Sequence, residues 1–278
     1  MKLVVFDGDC PLCQASNAAL IRLRLAREED SRPFQSFQGE LRERFLDAGI
    51  HNEMAFLDPA SGEIRTGPAG ILWLLHETWI APLARLLDRP LFHGALDRLY
   101  HLVAFNRRIL TPPRTNIACA CDPDPRPGYQ VALIVLLLAF ALGMTALFGA
   151  AVAAGTGLTT PARGAFQMLV AAGSGWVLLS LAALTLPADV RLPFLGHLGM
   201  VMAAGLLVLV PSMLLSLAPP GPWLAAVFGL SVAASFTLML RKLGRRLRYL
   251  GLSRAWLAGW TAALWVGATA SVWFFYLR

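Results

Sequence analysis

The chain has 278 residues, of which 56% are hydrophobic and 15% are charged, and its mean hydropathy is +0.58. These values are too apolar for an ordinary soluble protein, and they are typical of a soluble domain joined to membrane-spanning helices. The formal net charge of +7 does not indicate nucleic-acid binding, because the basic residues are scattered in the first half and otherwise clustered between two apolar segments. We therefore expect no nucleic-acid partner.

The composition changes abruptly near residue 128. Every Asp and Glu except Asp189 lies before this point, and long apolar runs dominate after it. The first apolar run reaches Asp7 after only four residues, which is too short for the core of a signal peptide. We predict a soluble domain at residues 1–115, a Pro-rich linker at 116–128 and a multi-pass transmembrane domain at 129–278.

The N-terminal segment is predicted to begin as a buried strand that leads into a helix. Residues 3–6, Leu-Val-Val-Phe, are β-prone, and residues 7–9, Asp-Gly-Asp, mark a turn. The helix that follows is expected to reach about Arg27, with Asp9 as its N-cap and Pro11 in its first turn. The first cysteine of the chain is therefore expected at a helix N-terminus.

The next elements follow the order of a thioredoxin-like fold. Residues 33–37 are predicted to form a second strand, and residues 40–48 a second helix. Residues 54–57 and 63–66 are predicted to pair as a β-hairpin. Strongly apolar helical runs continue from Ala69 to Phe105, but they are too interrupted to be spans, so we expect helices buried in the globule rather than an interfacial platform.

Five apolar segments follow, each long enough to cross a bilayer core of about 30 Å at about 1.5 Å per residue. The predicted spans are Tyr129–Ala153, Gly164–Leu186, Phe194–Ala218, Pro222–Leu240 and Ala255–Leu277. The predicted fold class is thus an α/β thioredoxin-like domain followed by an all-α transmembrane domain of about five spans. An Arg-rich loop at 241–254 indicates the cytoplasmic side, which places the N-terminal domain in the cytoplasm and the C-terminus outside the cell membrane.

Cys10-Pro11-Leu12-Cys13 is a Cys-x-x-Cys motif at a position that suits redox chemistry. The amide groups and the positive dipole end of a helix stabilise a thiolate at the first cysteine. Cys13 lies one turn further on and can attack a mixed disulfide on Cys10, so we expect Cys10 as nucleophile and Cys13 as resolving thiol. The competing interpretation is a zinc site completed by Cys119 and Cys121 of the linker. The preceding strand and the following helix favour the redox interpretation.

Other polar residues near the motif have two interpretations each. Asp7 is a candidate acid or base for the proton of Cys13 if its carboxylate is buried at the strand end, and otherwise it only forms the turn. Tyr100, Asn106 and Arg107 either line the cleft or serve as core and topology residues.

Two segments resemble a known family. Residues 7–13, Asp-Gly-Asp-Cys-Pro-Leu-Cys, resemble the Asp-x-x-Cys-x-x-Cys motif of the DCC family of thiol-disulfide oxidoreductases. Residues 100–107, Tyr-His-Leu-Val-Ala-Phe-Asn-Arg, are similar to the Tyr-x-x-x-Ala-x-Asn-Arg segment typical of that family. The resemblance covers about residues 1–115, and it implies a thioredoxin-like domain with Asp7, Cys10 and Cys13 as the catalytic residues.

These observations predict a membrane-anchored oxidoreductase that exchanges the Cys10/Cys13 dithiol with a disulfide of a protein or a small thiol. Its expected partners are that thiol or disulfide and the lipid bilayer, and no cofactor is expected. One alternative is a zinc-stabilised membrane scaffold or binding protein that uses all four cysteines. Another makes the spans a transporter or lipid-binding unit, with His197 as their main polar residue. The nearest candidate for a thioredoxin-type cis-proline, Gly67-Pro68, is misplaced, because it comes after the hairpin.

Overall fold

The computed structural model describes residues 2–112, 123–219 and 221–276, and for residue 222 and residues 271–276 it describes the backbone alone. The chain divides into two compact units, Met1–Gln130 and Val131–Arg278. The first contains the sheet and the dithiol, and the second consists of apolar helices.

A four-stranded mixed sheet is the centre of the N-terminal unit. Its strands are β1 (Leu3–Phe6), β2 (Ser31–Pro33), β3 (Ala55–Leu57) and β4 (Ile64–Thr66), in the spatial order β2-β1-β3-β4. β1 pairs parallel with β2 and antiparallel with β3, and β3 pairs antiparallel with β4. The apolar β1 is central because it is covered on both faces, and Val4 and Val5 are fully buried. The predicted α/β thioredoxin-like order is confirmed.

Helices surround this sheet. They are α1 (Pro11–Arg22), α2 (Gly39–Asp47), α3 (Gly67–Leu75), α4 (Ala81–Leu87), α5 (Pro90–Phe105) and α6 (Arg107–Leu110). In one core cluster, Phe34 and Phe45 pack against one side of the sheet. In another, Phe56 of β3 packs with Leu74 of α3. The two clusters hold β1, and therefore the start of α1, in a fixed position.

Helix α1 differs from the prediction at both ends. It ends at Arg22 rather than near Arg27, because Arg24 adopts a φ of 58° and the amides of the next two residues return to the Leu20 carbonyl. This reversal turns Leu25 into the core. The predicted N-cap is also wrong, since Cys10 occupies the N-cap position and Asp9 is exposed to solvent.

The second strand is shorter and earlier than predicted. It ends at Pro33, and residues 34–36 form a 3₁₀ turn instead of continuing the strand. This turn buries Phe34 completely under the sheet and aims Gln35 at the loop after β1. Phe34, one of the apolar residues that suggested a strand, therefore belongs to a turn and packs in the core from there.

Residues 76–105 are also less buried than predicted. Ala84 of α4 and Ala104 of α5 face the core, but Trp79, Leu91 and Leu99 are largely exposed. The expectation of helices buried throughout is wrong, because only one face of each of these helices has a partner among the residues that the structure describes in the N-terminal unit.

Gly70 lies where α3 closely approaches the sheet. A methyl group on it would lie 2.3 Å from Cδ2 of Phe56 and 2.9 Å from the backbone oxygen of Arg65. Because Phe56 is fully buried, we expect Gly70→Ala to lower the free energy of unfolding by about 1–3 kcal/mol. Gly94→Ala is a matched control, since the same methyl on Gly94 of α5 has nothing within 4 Å and should stabilise the helix by up to about 1 kcal/mol. Denaturant titration of both variants measures the difference, and equal stabilities would contradict the packing argument.

The second unit is an all-α membrane domain. Its helices are α7 (Pro127–Thr156), α8 (Pro161–Ala183), α9 (Ala188–Leu215), α10 (Pro222–Tyr249) and α11 (Ala255–Tyr276). In the described residues, α7 to α10 are each long and apolar enough to cross a membrane, and α11 occupies the fifth predicted segment. α7 itself begins in the first unit and continues into the second. The chain is membrane-embedded, in agreement with the prediction of about five spans.

Small residues bring the membrane helices together. A methyl group on Gly149 of α7 would lie 2.4 Å from the backbone oxygen of Gly164 on α8. A methyl group on Gly267 of α11 would lie 2.3 Å from the backbone oxygen of Ala171 on α8. Such contacts allow close backbone approach where lipid offers no hydrophobic gain from helix association.

The Arg-rich segment predicted as a loop is mostly helical. α10 continues to Tyr249, so the basic residues 241–248 occupy its last turns. Arginine and lysine are good helix formers, and positive charge is favourable at a helix C-terminus. The loop itself is reduced to residues 250–254, and the basic cluster remains at the same end of the fourth span.

His197 of α9 is buried and pairs with a neighbouring helix. Its Nδ1 lies 2.6 Å from a guanidinium nitrogen of Arg246 on α10, and its ring meets Tyr249 edge-on at 5.6 Å between centroids. A buried polar pair of this kind fastens two membrane helices to each other. His197 therefore has a packing role in the membrane domain.

Candidate dithiol active site

The dithiol lies where β1 becomes α1. Cys10 is the N-cap residue of α1, Pro11 occupies the first turn, and Cys13 follows one turn later. Both cysteines are free thiols, with 0% of Cys10 and 6% of Cys13 exposed. β1 is held centrally in the sheet, so the fold fixes the first cysteine at the positive end of a helix.

The two thiols have opposite acidities. The pKa of Cys10 is lowered from 9.0 to about 6, chiefly because the side chain of Cys13 donates a hydrogen bond to its sulfur, with smaller help from the backbone amides of Leu12 and Cys13 and from the Arg107 charge. Burial opposes this shift. The pKa of Cys13 is raised well above its usual range by the same hydrogen bond and by burial. At neutral pH the pair therefore holds one thiolate, on Cys10, and one proton, on Cys13.

Asp7 is buried beside the dithiol at the end of β1. Its Oδ1 accepts hydrogen bonds from the Asp9 amide and from Nε2 of Gln35, each at 2.9 Å, and its Oδ2 lies 3.7 Å from a guanidinium nitrogen of Arg108. The first bond is an Asx turn, as in the turn-forming interpretation. The pKa of Cys13 is raised mainly by its hydrogen bond to Cys10 and by burial, and the negative charge of Asp7 raises it further.

Gln35 is a site residue that the sequence does not reveal. Its Oε1 accepts the Gly8 amide at 2.9 Å, and its Nε2 donates to Asp7 at 2.9 Å and to Asp9 at 3.2 Å. One side chain from the β2 end thus holds three consecutive residues of the loop that precedes Cys10. No local signal marks this role, because Gln35 becomes a neighbour of the loop only through the parallel pairing of β1 with β2.

Arg107 brings positive charge to the dithiol from the far end of the domain. The residue is buried at the start of α6, and its guanidinium donates to the backbone oxygens of His51 and Asn52. Its charge lowers the pKa of both Cys10 and Cys13. Arg107 is therefore within electrostatic reach of the dithiol.

Tyr100 and Asn106 are buried close to the same region. The Tyr100 hydroxyl accepts the Met54 amide at 3.1 Å. Burial raises the pKa of Tyr100, and the charges of Glu53 and Cys13 raise it further, whereas the Met54 amide and the Arg107 charge lower it. Asn106 instead donates to the backbone oxygens of Leu102 and Tyr129, so it joins two helices. Tyr100 is a neighbour of the dithiol, whereas Asn106 positions the helix that carries Arg107.

The match to known families follows this geometry. Residues 4–111 match the family model of the DCC1-like thiol-disulfide oxidoreductases. The N-terminal domain belongs to this family. No curated protein and no solved structure matches the chain. The matched residues span the sheet, the dithiol and α6, so the resemblance carried by residues 7–13 and 100–107 is confirmed for the soluble domain.

The described residues of the DCC1-like domain show neither a metal site nor a cis-proline. No group of three or more His, Cys, Asp or Glu side chains suited to a metal ion occurs among them, and Cys119 and Cys121 lie outside the described range. All described peptide bonds are trans, and Pro68 forms the buried first turn of α3. The described part of the site is thus a dithiol with acidic, basic and phenolic neighbours.

The acidity of Cys10 gives a pH prediction for the DCC1-like domain. We expect thiolate absorbance of the reduced protein to rise with an apparent pKa of about 6 and to be lost in Cys10→Ser. Because the folded pKa of Cys10 is below its unfolded value, ionisation of Cys10 stabilises the reduced fold increasingly as the pH rises from about 6 to about 9. The raised pKa of Cys13 acts in the opposite sense, because its contribution is lost as the pH rises above about 9, so the dithiol stabilises the reduced fold most near that pH. An ultraviolet titration between pH 4 and about 9 measures the thiolate absorbance and hence the pKa of Cys10. A single transition near pH 9 would contradict the assignment of the thiolate to Cys10 and of the proton to Cys13.

Proposed function

We propose that the protein is a membrane-anchored thiol-disulfide oxidoreductase in which Cys10 is the nucleophile and Cys13 the resolving thiol. The observation that carries the proposal is the opposite acidity of two thiols at one helix N-terminus in a DCC1-like domain. A depressed pKa gives a reactive thiolate at neutral pH, whereas a purely structural thiol has no need of one.

The exchange proceeds in two balanced steps. The Cys10 thiolate attacks one sulfur of the substrate disulfide, forms a mixed disulfide and releases the other sulfur as a thiolate. Cys13 then loses its proton and attacks the Cys10 sulfur, which releases the second substrate thiolate and leaves a Cys10–Cys13 disulfide. The substrate gains two electrons and the dithiol loses two. The reverse sequence oxidises a substrate dithiol.

Four residues support these steps. Arg107 stabilises the thiolate on Cys10 through its charge. We assign Asp7 as the acceptor of the Cys13 proton, because Asp7 is buried and its charge is among the causes that raise the pKa of that thiol. Gln35 and Arg108 hold the carboxylate in position. Since Cys10 is fully buried in this closed state, a substrate disulfide reaches it only when a neighbouring segment opens.

The basic residues support a cytoplasmic position for the DCC1-like domain. Arg126 lies just before α7, and the cluster at 241–248 lies at the C-terminal end of α10. An even number of crossings separates the start of α7 from the end of α10, so both basic groups fall on one side of the membrane. By the positive-inside rule this side is the cytoplasm. We propose that the protein resides in the cell membrane with the dithiol facing the cytoplasm.

The proposal is tested on the full chain in lipid nanodiscs. A fluorescent glutathione disulfide serves as substrate and dithiothreitol as electron donor. Cys10→Ser should reduce the rate to that of dithiothreitol alone, and retention of wild-type activity would refute the proposal. The double variant Cys119→Ser/Cys121→Ser is the matched control: it should keep full activity, whereas a structural zinc site would lose metal and stability. Zinc analysis of the purified protein completes the comparison.

A further inference from the structure

Helix α5 has an apolar stripe on its outer face. Leu91, Ala95, Leu99 and Val103 follow one another at four-residue spacing, and all are exposed, Leu91 by 81% and Leu99 by 60%. Residues at this spacing lie above one another on one side of a helix. The stripe covers about 18 Å at about 1.5 Å per residue.

The neighbouring helix α4 has a similar outer face. Leu83 and Leu86 are exposed there, and Trp79, just before the helix, is 72% exposed while its indole nitrogen donates to the backbone oxygen of Leu23. Leu23 is itself exposed at the end of α1. We call the combined surface the apolar platform, and its residues are Leu23, Trp79, Leu83, Leu86, Leu91, Phe92, Leu99 and Val103.

The platform is a second apolar face rather than a misplaced core. The inner faces of the same helices already pack in the domain, through Ala84 and Leu96 in one cluster and through buried Tyr100 and Ala104. A helix that is apolar on its inner and outer faces is typical of a helix with a partner on both sides. Soluble monomers rarely expose contiguous apolar patches of this kind, and such patches mark protein or membrane contacts.

The exposed charges beside the platform are positive, and they favour an anionic partner. Arg85, Arg89 and Arg98 are exposed beside the platform, and none of them has an ion pair within the part of the chain that the structure describes. The nearby acidic residues face histidines: Asp88, just after α4, is 3.6 Å from His76, and Asp97 of α5 is 3.3 Å from His101. Arginines at the edge of a surface rich in Leu and Trp are characteristic of elements that lie in the headgroup region of an anionic bilayer.

The start of the first span lies against the platform helix. Tyr129 in the first turn of α7 stacks on Phe105 at the end of α5, with 5.3 Å between ring centroids, and the Asn106 side chain donates to the Tyr129 backbone oxygen at 2.9 Å. These contacts lie within the N-terminal unit. Tyr129 stands in the first turn of a helix that is long and apolar enough to cross a membrane, and tyrosine is enriched at membrane interfaces.

We propose that the apolar platform lies on the surface of an anionic phospholipid bilayer and docks the DCC1-like domain on the membrane. The leucines and Trp79 enter the boundary between headgroups and acyl chains, and the three arginines contact lipid phosphates. The inference concerns the position of the domain and does not depend on its redox activity.

Photocrosslinking in nanodiscs tests the proposal on the full chain. A photoreactive benzoylphenylalanine replaces Leu91 or Leu99 in nanodiscs of phosphatidylglycerol and phosphatidylethanolamine, and mass spectrometry identifies the adducts. The matched control places the same group at Leu46, an exposed leucine of α2 outside the platform. We expect phospholipid adducts at Leu91 and Leu99 several-fold above those at Leu46. Equal yields at all three positions, or adducts only with a second copy or with the chain's own helices, would overturn the proposal.

A second measurement tests whether apolar contact and anionic lipid hold the platform on the membrane. With the photoreactive group at Leu83, the double variant Leu91→Glu/Leu99→Glu should lower the yield of lipid adduct several-fold, whereas Leu46→Glu should leave it unchanged. All four positions are exposed, so the substitutions disturb no core packing. Replacing phosphatidylglycerol by phosphatidylcholine should lower the yield at Leu83 as well. An unchanged yield in both experiments would refute a platform held by lipid.

Discussion

Cys13→Ser is expected to turn the protein into a trap that holds its substrate on Cys10. The serine hydroxyl replaces the thiol that donates a hydrogen bond to the Cys10 sulfur, so Cys10 remains a thiolate and still attacks. Serine cannot attack the mixed disulfide, and the second step is lost. We expect turnover to fall to at most one equivalent of substrate thiol released per protein, with a covalent adduct detectable by intact mass spectrometry.

Cys13→Ala separates the two roles of Cys13. Alanine removes both the resolving thiol and the hydrogen bond that contributes most to the low pKa of Cys10. We expect the alanine variant to form the same adduct, but with an attack rate at pH 6 to 7 well below that of the serine variant, because a smaller fraction of Cys10 is ionised. The rate of adduct formation as a function of pH measures this shift. If the two variants attack equally fast at every pH, the hydrogen bond does not set the acidity of Cys10.

The predictable parts of the site are those determined by local sequence. The apolar run Leu3–Phe6, the turn after it and Pro11 together predict a strand leading into a helix, and these neighbouring residues alone place Cys10 at a helix N-terminus. The hairpin is equally predictable, because residues 55–57 and 64–66 are β-prone and flank a turn rich in Asp, Pro and Gly. Periodicity and turn chemistry carry this information without knowledge of distant contacts.

The parts that are not predictable depend on contacts distant in sequence. Gln35 reaches the loop after β1 only through strand pairing, and Arg107 is near the cysteines although 94 residues separate it from Cys13. The end of α1 differs from the prediction because a non-glycine residue, Arg24, adopts a left-handed conformation that nothing in its neighbourhood requires. The sequence favours burial of α4 and α5 over an interfacial platform for a related reason. Apolar residues on both faces of a helix resemble a core helix in the sequence, and only the fold determines which face has a partner.

Asp7→Asn is expected to slow the resolving step by about 10²- to 10⁴-fold at pH 7, the usual contribution of a positioned general base. Asparagine keeps the oxygen that accepts the Asp9 amide, so the Asx turn is retained and only the charge and basicity are lost. Attack by Cys10 should change little. Single-turnover kinetics with a fluorescent disulfide separate the two steps, since formation of the mixed disulfide and release of the second thiol give distinct signals.

The sign of this change decides between the two interpretations of Asp7. The charge of Asp7 raises the pKa of Cys13, so a carboxylate with no role in proton transfer would, once removed, leave Cys13 more acidic and the resolving step unchanged or faster. Slower resolution, restored as the pH is raised, therefore identifies the base. Asp9→Asn is the matched control, since Asp9 also accepts a hydrogen bond from Gln35 but is exposed.

Stability provides the remaining control on Asp7. The loss of its charge leaves Arg108 buried without this ion pair, and removing one partner of a buried pair typically costs about 3–5 kcal/mol. The double variant Asp7→Asn/Arg108→Met removes both charges and should recover much of this loss. If resolution remains slow in the double variant after stability has returned, the defect is in proton transfer and not in the fold; if it recovers with stability, Asp7 serves the fold alone.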